Sequence, residues 1–158
     1  MEPILRIATI DDMEDLVKVR FDYFEAEKRN IAVEKHSVIK TSLLQYYKKH
    51  INNDFYTALI DIENQIVSVA FLSISEKPAN LSWPTGRIGT ILNVLTYPEH
   101  RKKGYATKAL NFLIEESKRQ NLSYLELSAS EMGKPLYLKL GFQESSSHFT
   151  EMKLLFGV

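Results

Sequence analysis

Arg101, Lys102 and Lys103, followed by Gly104 and Ala106, are the residues whose types and spacing most clearly offer chemistry. They follow the apolar run Ile91–Leu95 and the Thr96-Tyr97-Pro98 turn, and they precede an amphipathic helix. That order places several main-chain N–H groups at a helix N-terminus, where they have no partner within the helix and attract anions. Gly104 lets the backbone come close to a phosphate, and Ala106 keeps the space beside it clear. A P-loop is excluded because no glycine precedes Lys108, and a dinucleotide fingerprint because Gly104 has no partner glycines. What remains is a basic residue, two variable residues, glycine, one variable residue and a small residue opening a helix. This reads as the anion-binding end of a nucleotide-like cofactor site.

The bulk composition requires that recognition to be local. Lys plus Arg and Asp plus Glu each number 20 in 158 residues, so no overall field favours nucleic acid or an anionic membrane. Absence of cysteine removes thiolate nucleophiles, thiolate metal sites and disulfides. His36, His50, His100 and His148 lack ligand-like spacing, so no metal is expected. No apolar run approaches the ~18 residues of a membrane span, and the first residues lack a signal-peptide pattern, so the expected location is cytoplasmic. A 44% apolar, 25% charged chain of this length is expected to form one domain over residues 1–158.

The elements that must position the loop can be read from periodicity. A strand over Leu5–Ala8 leads to helix N-caps at Thr9 and Asp11, and Met13, Leu16, Val17, Phe21 and Phe24 repeat at helical spacing. A second helix is expected from about Ser37 to Ile51. Phe55–Ile62 and Ile66–Ile74 read as a hairpin around Glu63-Asn64-Gln65, and Arg87–Thr96 as a long strand whose near-continuous apolar stretch is broken by Asn93. Ala106, Ala109, Leu110, Leu113 and Ile114 form a helical stripe, and Leu122–Ser128 returns as a strand to complete a parallel β-α-β unit. Pro135 and Gly141 bracket a short helix, and Phe142–Glu144 and Thr150–Phe156 are expected as closing strands.

Three blocks in this order resemble the GCN5-related N-acetyltransferases, the GNAT superfamily, over nearly the whole chain. Arg6-Ile7-Ala8-Thr9-Ile10-Asp11-Asp12 is similar to the family's first strand and helix start. Asn93 to Ala106 resembles its central strand and Arg/Gln-x-x-Gly-x-Gly/Ala loop, and Pro135 to Phe142 its Leu-Tyr-x-Lys-x-Gly-Phe block. The resemblance implies an α/β (α+β) fold: a mixed, mostly antiparallel sheet of six to seven strands, a central parallel β-α-β unit and about four helices. It implies an N-acetyltransferase that moves the acetyl group of acetyl-CoA, as co-substrate, to a primary amine by direct attack on the thioester. The alternative on the same fold is a non-catalytic acyl-CoA-binding sensor or interaction module.

The resemblance also distributes roles. The amides of Arg101, Lys102, Lys103, Gly104, Tyr105, Ala106 and Thr107 would bind the pyrophosphate of the cofactor. The central strand would carry a bulge that splays it from its parallel neighbour. Val94, Leu95 and Thr96 would pair with pantetheine through their backbone, and an N–H there would polarise the thioester carbonyl. Ser128 and Ser130 would contact the cofactor arm, and Tyr137 would protonate the departing thiolate. Glu76, Glu25 and Glu27 are candidate bases, each of which reads more readily as a solvated carboxylate. Trp83 either lines the acceptor mouth or anchors its own loop. The acceptor would be a small-molecule amine, a peptide N-terminus or a lysine; nucleic acid and membrane are not expected as partners, and a homodimer follows family habit.

Overall fold

The computed structural model describes residues 1–158 and divides them into two compact units, Met1–Ser128 and Ala129–Val158. The first holds strands β1 (Ile4–Ile7), β2 (Phe55–Ile62), β3 (Gln65–Glu76), β4 (Arg87–Thr96) and β5 (Leu125–Glu126), with helices α1 (Met13–Ala26), α2 (Val33–His50) and α3 (Tyr105–Arg119). The strands form one sheet in the order β1-β2-β3-β4-β5, antiparallel except for the β4–β5 pair. The second unit contains the short helix α4 (Lys134–Lys139).

Alternation along the strands explains why both faces of the sheet are covered. Leu59, Val69, Phe71 and Leu95 join Leu16, Val19 and Tyr47 of α1 and α2 in one buried cluster. Ile60, next to Leu59, packs with Tyr105 of α3 instead, and Val67 joins it where the β2–β3 register shifts between Ile60 and Asp61. Each such fully buried side chain contributes about 1.5–3 kcal/mol relative to exposure. The β2–β3 hairpin closes through Glu63 and Asn64, both left-handed at φ 52° and 64°, as a tight two-residue turn requires. Gln65, expected in that loop, already pairs with Ile62.

At the start of α1 the chain provides for its own exposed donors. Thr9 caps a 3₁₀ turn over Ile10–Asp12, accepting from the Asp11 N–H at 3.3 Å, while Asp12 accepts from the Thr9 N–H at 2.7 Å. Arg6 then donates to both Asp12 oxygens at 2.9 Å and to Asp61 at 2.5 Å. The Arg6 hydrogen bond outweighs burial and holds the Asp12 carboxyl below the usual carboxylate range.

Differences from the sequence expectation lie mostly at element ends. Helix α2 begins at Val33 rather than Ser37, because the Lys35 N–H already bonds to the Ala32 carbonyl at 2.9 Å. Strand β5 spans Leu125–Glu126 rather than 122–128. Residues before it are used in a turn: Asn121 is left-handed at φ 60°, and the Leu122 N–H returns to Ser117 at 3.1 Å. The expected strands Phe142–Glu144 and Thr150–Phe156 carry no ladder pairing, so the sheet has five strands where six to seven were expected. Met152, Leu154, Leu155 and Phe156 are 79–89% exposed, and strand propensity without a paired neighbour does not make a strand.

Candidate functional site

Helix α3 starts without a cap of its own. Its N-cap is Gly104, left-handed at φ 80°, with no side-chain hydrogen bond and no acidic residue in the first turn. Lys102 is also left-handed, at φ 60°. The first helical bond runs from the Lys108 N–H to the Gly104 carbonyl at 3.1 Å, and the amides from Lys102 to Thr107 have no protein acceptor. Left-handed residues interspersed in a loop that runs into a helix are the backbone from which anion-binding concavities are made. A Cβ built on Gly104 would meet nothing within 4 Å, so the space in front of these amides is clear. Arg101 closes the loop from behind: its Nε donates to the Thr96 carbonyl at 3.0 Å.

The strand that delivers this loop is irregular where the resemblance requires it to be. Phe71 pairs with Leu92 and Val69 with Leu95, so two steps on β3 face three on β4. The extra residue is accommodated at Asn93, left-handed at φ 54° and only 2% exposed. A bulge of this kind bends the strand and increases its twist. On the other side β4 meets β5 only at Gly89–Leu125 and Thr90–Glu126. A Cβ on Gly89 would lie 2.5 Å from Leu125, 2.7 Å from Leu72 and 3.0 Å from Leu122, so glycine is what permits that close approach. Beyond Thr90 the β5-facing edge of β4 has no strand partner, and apart from the Thr96 carbonyl that Arg101 occupies its backbone groups are available to an extended ligand.

The expected site residues are distributed as follows. The Leu95 side chain is buried in the core and Thr96 Oγ1 lies 2.7 Å from Ser68 Oγ, so both can serve a ligand in the slot only through their main chain. Val94 is half-buried on the same stretch. Ser128 is exposed just after β5. Ser130 Oγ accepts from the Gly133 N–H at 3.1 Å in the turn before α4. Tyr137 lies on α4, half-buried, with its ring 5.9 Å from that of Phe142 in an edge-on arrangement.

Of the candidate bases, Glu25 and Glu27 are exposed near the end of α1, and Glu76 is exposed with its carboxylate 3.8 Å from Arg87. Trp83 anchors its own loop: its Nε1 donates to the Pro78 carbonyl at 2.7 Å and Lys77 Nζ sits 4.4 Å over its ring. His36 stacks on Phe21 at 4.2 Å and His50 pairs with Asp54 at 2.7 Å. No group of three or more His, Cys, Asp or Glu residues is arranged to hold a metal. No helix is long and apolar enough to cross a membrane.

Two polar features on the α1 side escape a reading of motifs. Tyr97 donates to Asp22 at 2.5 Å, and burial, with that carboxylate beside it, pushes its phenol well above the ordinary range. Arg20 donates to Asn93 Oδ1 at 3.3 Å, and Asn93 Nδ2 in turn reaches the Val19 carbonyl at 3.5 Å. The only sequence signal for this link is a polar Asn within an apolar strand, which does not by itself reveal a partner on α1.

The chain belongs to the acetyltransferase (GNAT) family, whose model matches residues 14–142. Among solved structures it is similar to a predicted acetyltransferase from Clostridium acetobutylicum, determined with acetyl-CoA, at 29% identity over 96% of both chains with a TM-score of 0.85. It is also similar to a GCN5-related N-acetyltransferase from Ralstonia eutropha JMP134, at 22% identity over 96% of this chain and 99% of that one, TM-score 0.79. AAC(6')-Iy in complex with the bisubstrate analogue CoA-S-monomethyl-acetylneamine shares the fold at 12% identity over 98% of this chain and 100% of that one, TM-score 0.71. No curated protein matches. The mixed, mostly antiparallel sheet and its parallel β4–β5 pair agree with the fold class expected from the sequence.

Proposed function

We propose that the protein transfers the acetyl group of acetyl-CoA to a primary amine, and that residues 1–158 act as one catalytic domain. The observation that carries this reading is the bare start of α3: a run of amides from Lys102 to Thr107 without acceptors, next to the unpaired edge of β4. Those donors and the adjacent basic side chains suit a pyrophosphate, and the clear space at Gly104 suits its close approach. The similarity to an acetyltransferase determined with acetyl-CoA supports the same cofactor here.

On this reading the pantetheine arm adds to β4 as a short strand, bonding the backbone of Val94, Leu95 and Thr96. An N–H of that stretch donates to the thioester oxygen and gains strength as negative charge develops there. The amine must arrive neutral. An ammonium with pKa about 10.4 is neutral for less than one part in a thousand at pH 7, a cost of about 4–5 kcal/mol. Its lone pair forms the N–C bond, the C–S bond breaks, and the amine yields a proton to solvent or a base. The departing thiolate, pKa about 8.5 by analogy with cysteine, takes a proton from the acid. We assign that acid to Tyr137 on its place in the Leu-Tyr-x-Lys-x-Gly-Phe block. Ser128 and Ser130 are assigned to the cofactor arm on the same ground, with Ser130 already engaged as a turn cap.

The test is release of free thiol from acetyl-CoA across a broad amine panel. Turnover supports the transferase. Tight cofactor binding with no turnover of any amine would instead identify an acyl-CoA sensor. In the active enzyme Tyr137→Phe is expected to lower kcat about 100-fold with little change in the acetyl-CoA KM, the signature of an interaction made in the transition state. An unaltered kcat removes Tyr137 from the chemistry.

A further inference from the structure

Arg20 is a half-buried cation without an anion. Of the chain's other five arginines, Arg6 is paired with Asp12 and Asp61, Arg87 faces Glu76, Arg119 is paired with Glu116, Arg101 is tied to the Thr96 carbonyl, and Arg29 lies exposed to solvent. Arg20 has only the long bond to Asn93 Oδ1 at 3.3 Å and the aromatic faces of Phe24 and Tyr23, 4.7 and 6.0 Å away. A guanidinium carries five N–H donors in a planar fork. Of those of Arg20, only one on Nη1 makes a hydrogen bond within the protein. Burial works against its charge, no carboxylate compensates, and the positive charge of Arg29 lies near enough to repel it. Asp22, the acidic neighbour on the same helix, is taken by Lys18 at 2.6 Å and by Tyr97.

The position of this cation matters as much as its lack of a partner. Asn93, which Arg20 touches, is the left-handed residue of the β4 bulge and immediately precedes Val94. The residue that Arg20 touches is thus adjacent in sequence to the stretch proposed to hold the thioester.

We propose that the acceptor is an amine carrying a carboxylate, and that Arg20 binds this carboxylate and so determines specificity. The inference rests on the transferase reading given above. A guanidinium fork matches the two oxygens of a carboxylate. A carboxylate also completes the neutralisation that α1 leaves undone, whereas a purely cationic amine would add a third positive charge beside Arg20 and Arg29.

The experiment compares amino acids with their carboxamides and with the corresponding decarboxylated amines, by thiol release from acetyl-CoA. The expected preference in kcat/KM for the carboxylate member is about 10- to 100-fold, the range of a charge-assisted hydrogen bond, and lies mainly in KM. In Arg20→Gln the ratio between carboxylate and carboxamide is expected to fall to about one, while Arg20→Lys keeps part of it. A structural role for Arg20 would lower both rates together and leave the ratio unchanged. Equal or better use of the carboxamides by the native enzyme, or an unchanged ratio in Arg20→Gln, overturns the proposal while acetyl transfer itself stands. Should Arg20→Gln not fold, the native ratio and that of Arg20→Lys decide. If no amine of any kind is acetylated, the transferase reading fails and this inference fails with it.

Discussion

Two helix starts in this chain solve the same problem in opposite ways. Before α1, Thr9 and Asp12 cap the 3₁₀ turn that leads into the helix, Arg6 neutralises Asp12, and Glu14 and Asp15 place acid in the first helical turn, although α1 itself has no side-chain cap. Before α3, Gly104 offers no cap, the first turn has no acid, and the amides from Lys102 to Thr107 have no acceptor. Both are N-termini with the same partial positive charge. On the proposed reading, a helix start is left free to bind when the sequence withholds the residues that would otherwise stabilise it. The α1 start should therefore respond to mutation in stability, and the α3 start in ligand affinity.

The largest expected effect tests the second half of that statement. Gly104→Val places a branched side chain in the clear space before the amides and strains a left-handed position. Loss of even one or two charge-assisted bonds should weaken acetyl-CoA binding by about 100-fold in calorimetry. Unfolding free energy should fall by only about 1–2 kcal/mol. Retained affinity would dissolve the contrast.

Asp12→Asn tests the first half and should cost about 2 kcal/mol of stability with unchanged cofactor affinity. Its pH dependence carries a sign. The Asp12 carboxyl titrates below its unfolded value because Arg6 bonds its charged form. Its contribution is therefore full above the ordinary carboxylate range and is lost as pH falls through the lower, folded value. Denaturant titrations of the native protein should show stability declining below about pH 4, with a shallower decline in the variant. Thr9→Ala, which removes the cap, should cost about 1 kcal/mol by the same measurement. Lys103→Gln is the mildest: removing one exposed cation from the α3 loop should weaken acetyl-CoA about threefold at low salt and leave the melting temperature unchanged. An equal loss at high salt would mean that the side chain makes a specific contact.

What could be read in advance follows the range of the forces involved. Strands β2 and β4 begin and end where alternation and apolar runs place them, at Phe55–Ile62 and Arg87–Thr96. The first helical residue of α3 is fixed by the glycine before it. Local periodicity and turn chemistry are enough for these. Strand β5 is shorter than its apolar run, since its length is decided by where β4 bends away, and that bend depends on a three-against-two register with β3. The tail from Thr150 has strand-forming residues but no ladder partner, so propensity alone overstates it. The loop of the candidate site was legible because its residues are contiguous. The Arg20–Asn93 link joins positions far apart in sequence, and neither residue type reveals the absence of a carboxylate.

One small absence governs the meeting of β4 and β5. At Gly89 any side chain would run into Leu125, Leu72 and Leu122 within 3.0 Å. A single methyl there would meet the side-chain tips of Leu125 on β5, Leu122 just before it and Leu72 on β3, and would oblige all three to repack. The fit of three leucines is thus held by a hydrogen atom at the place where β4 and β5 pair.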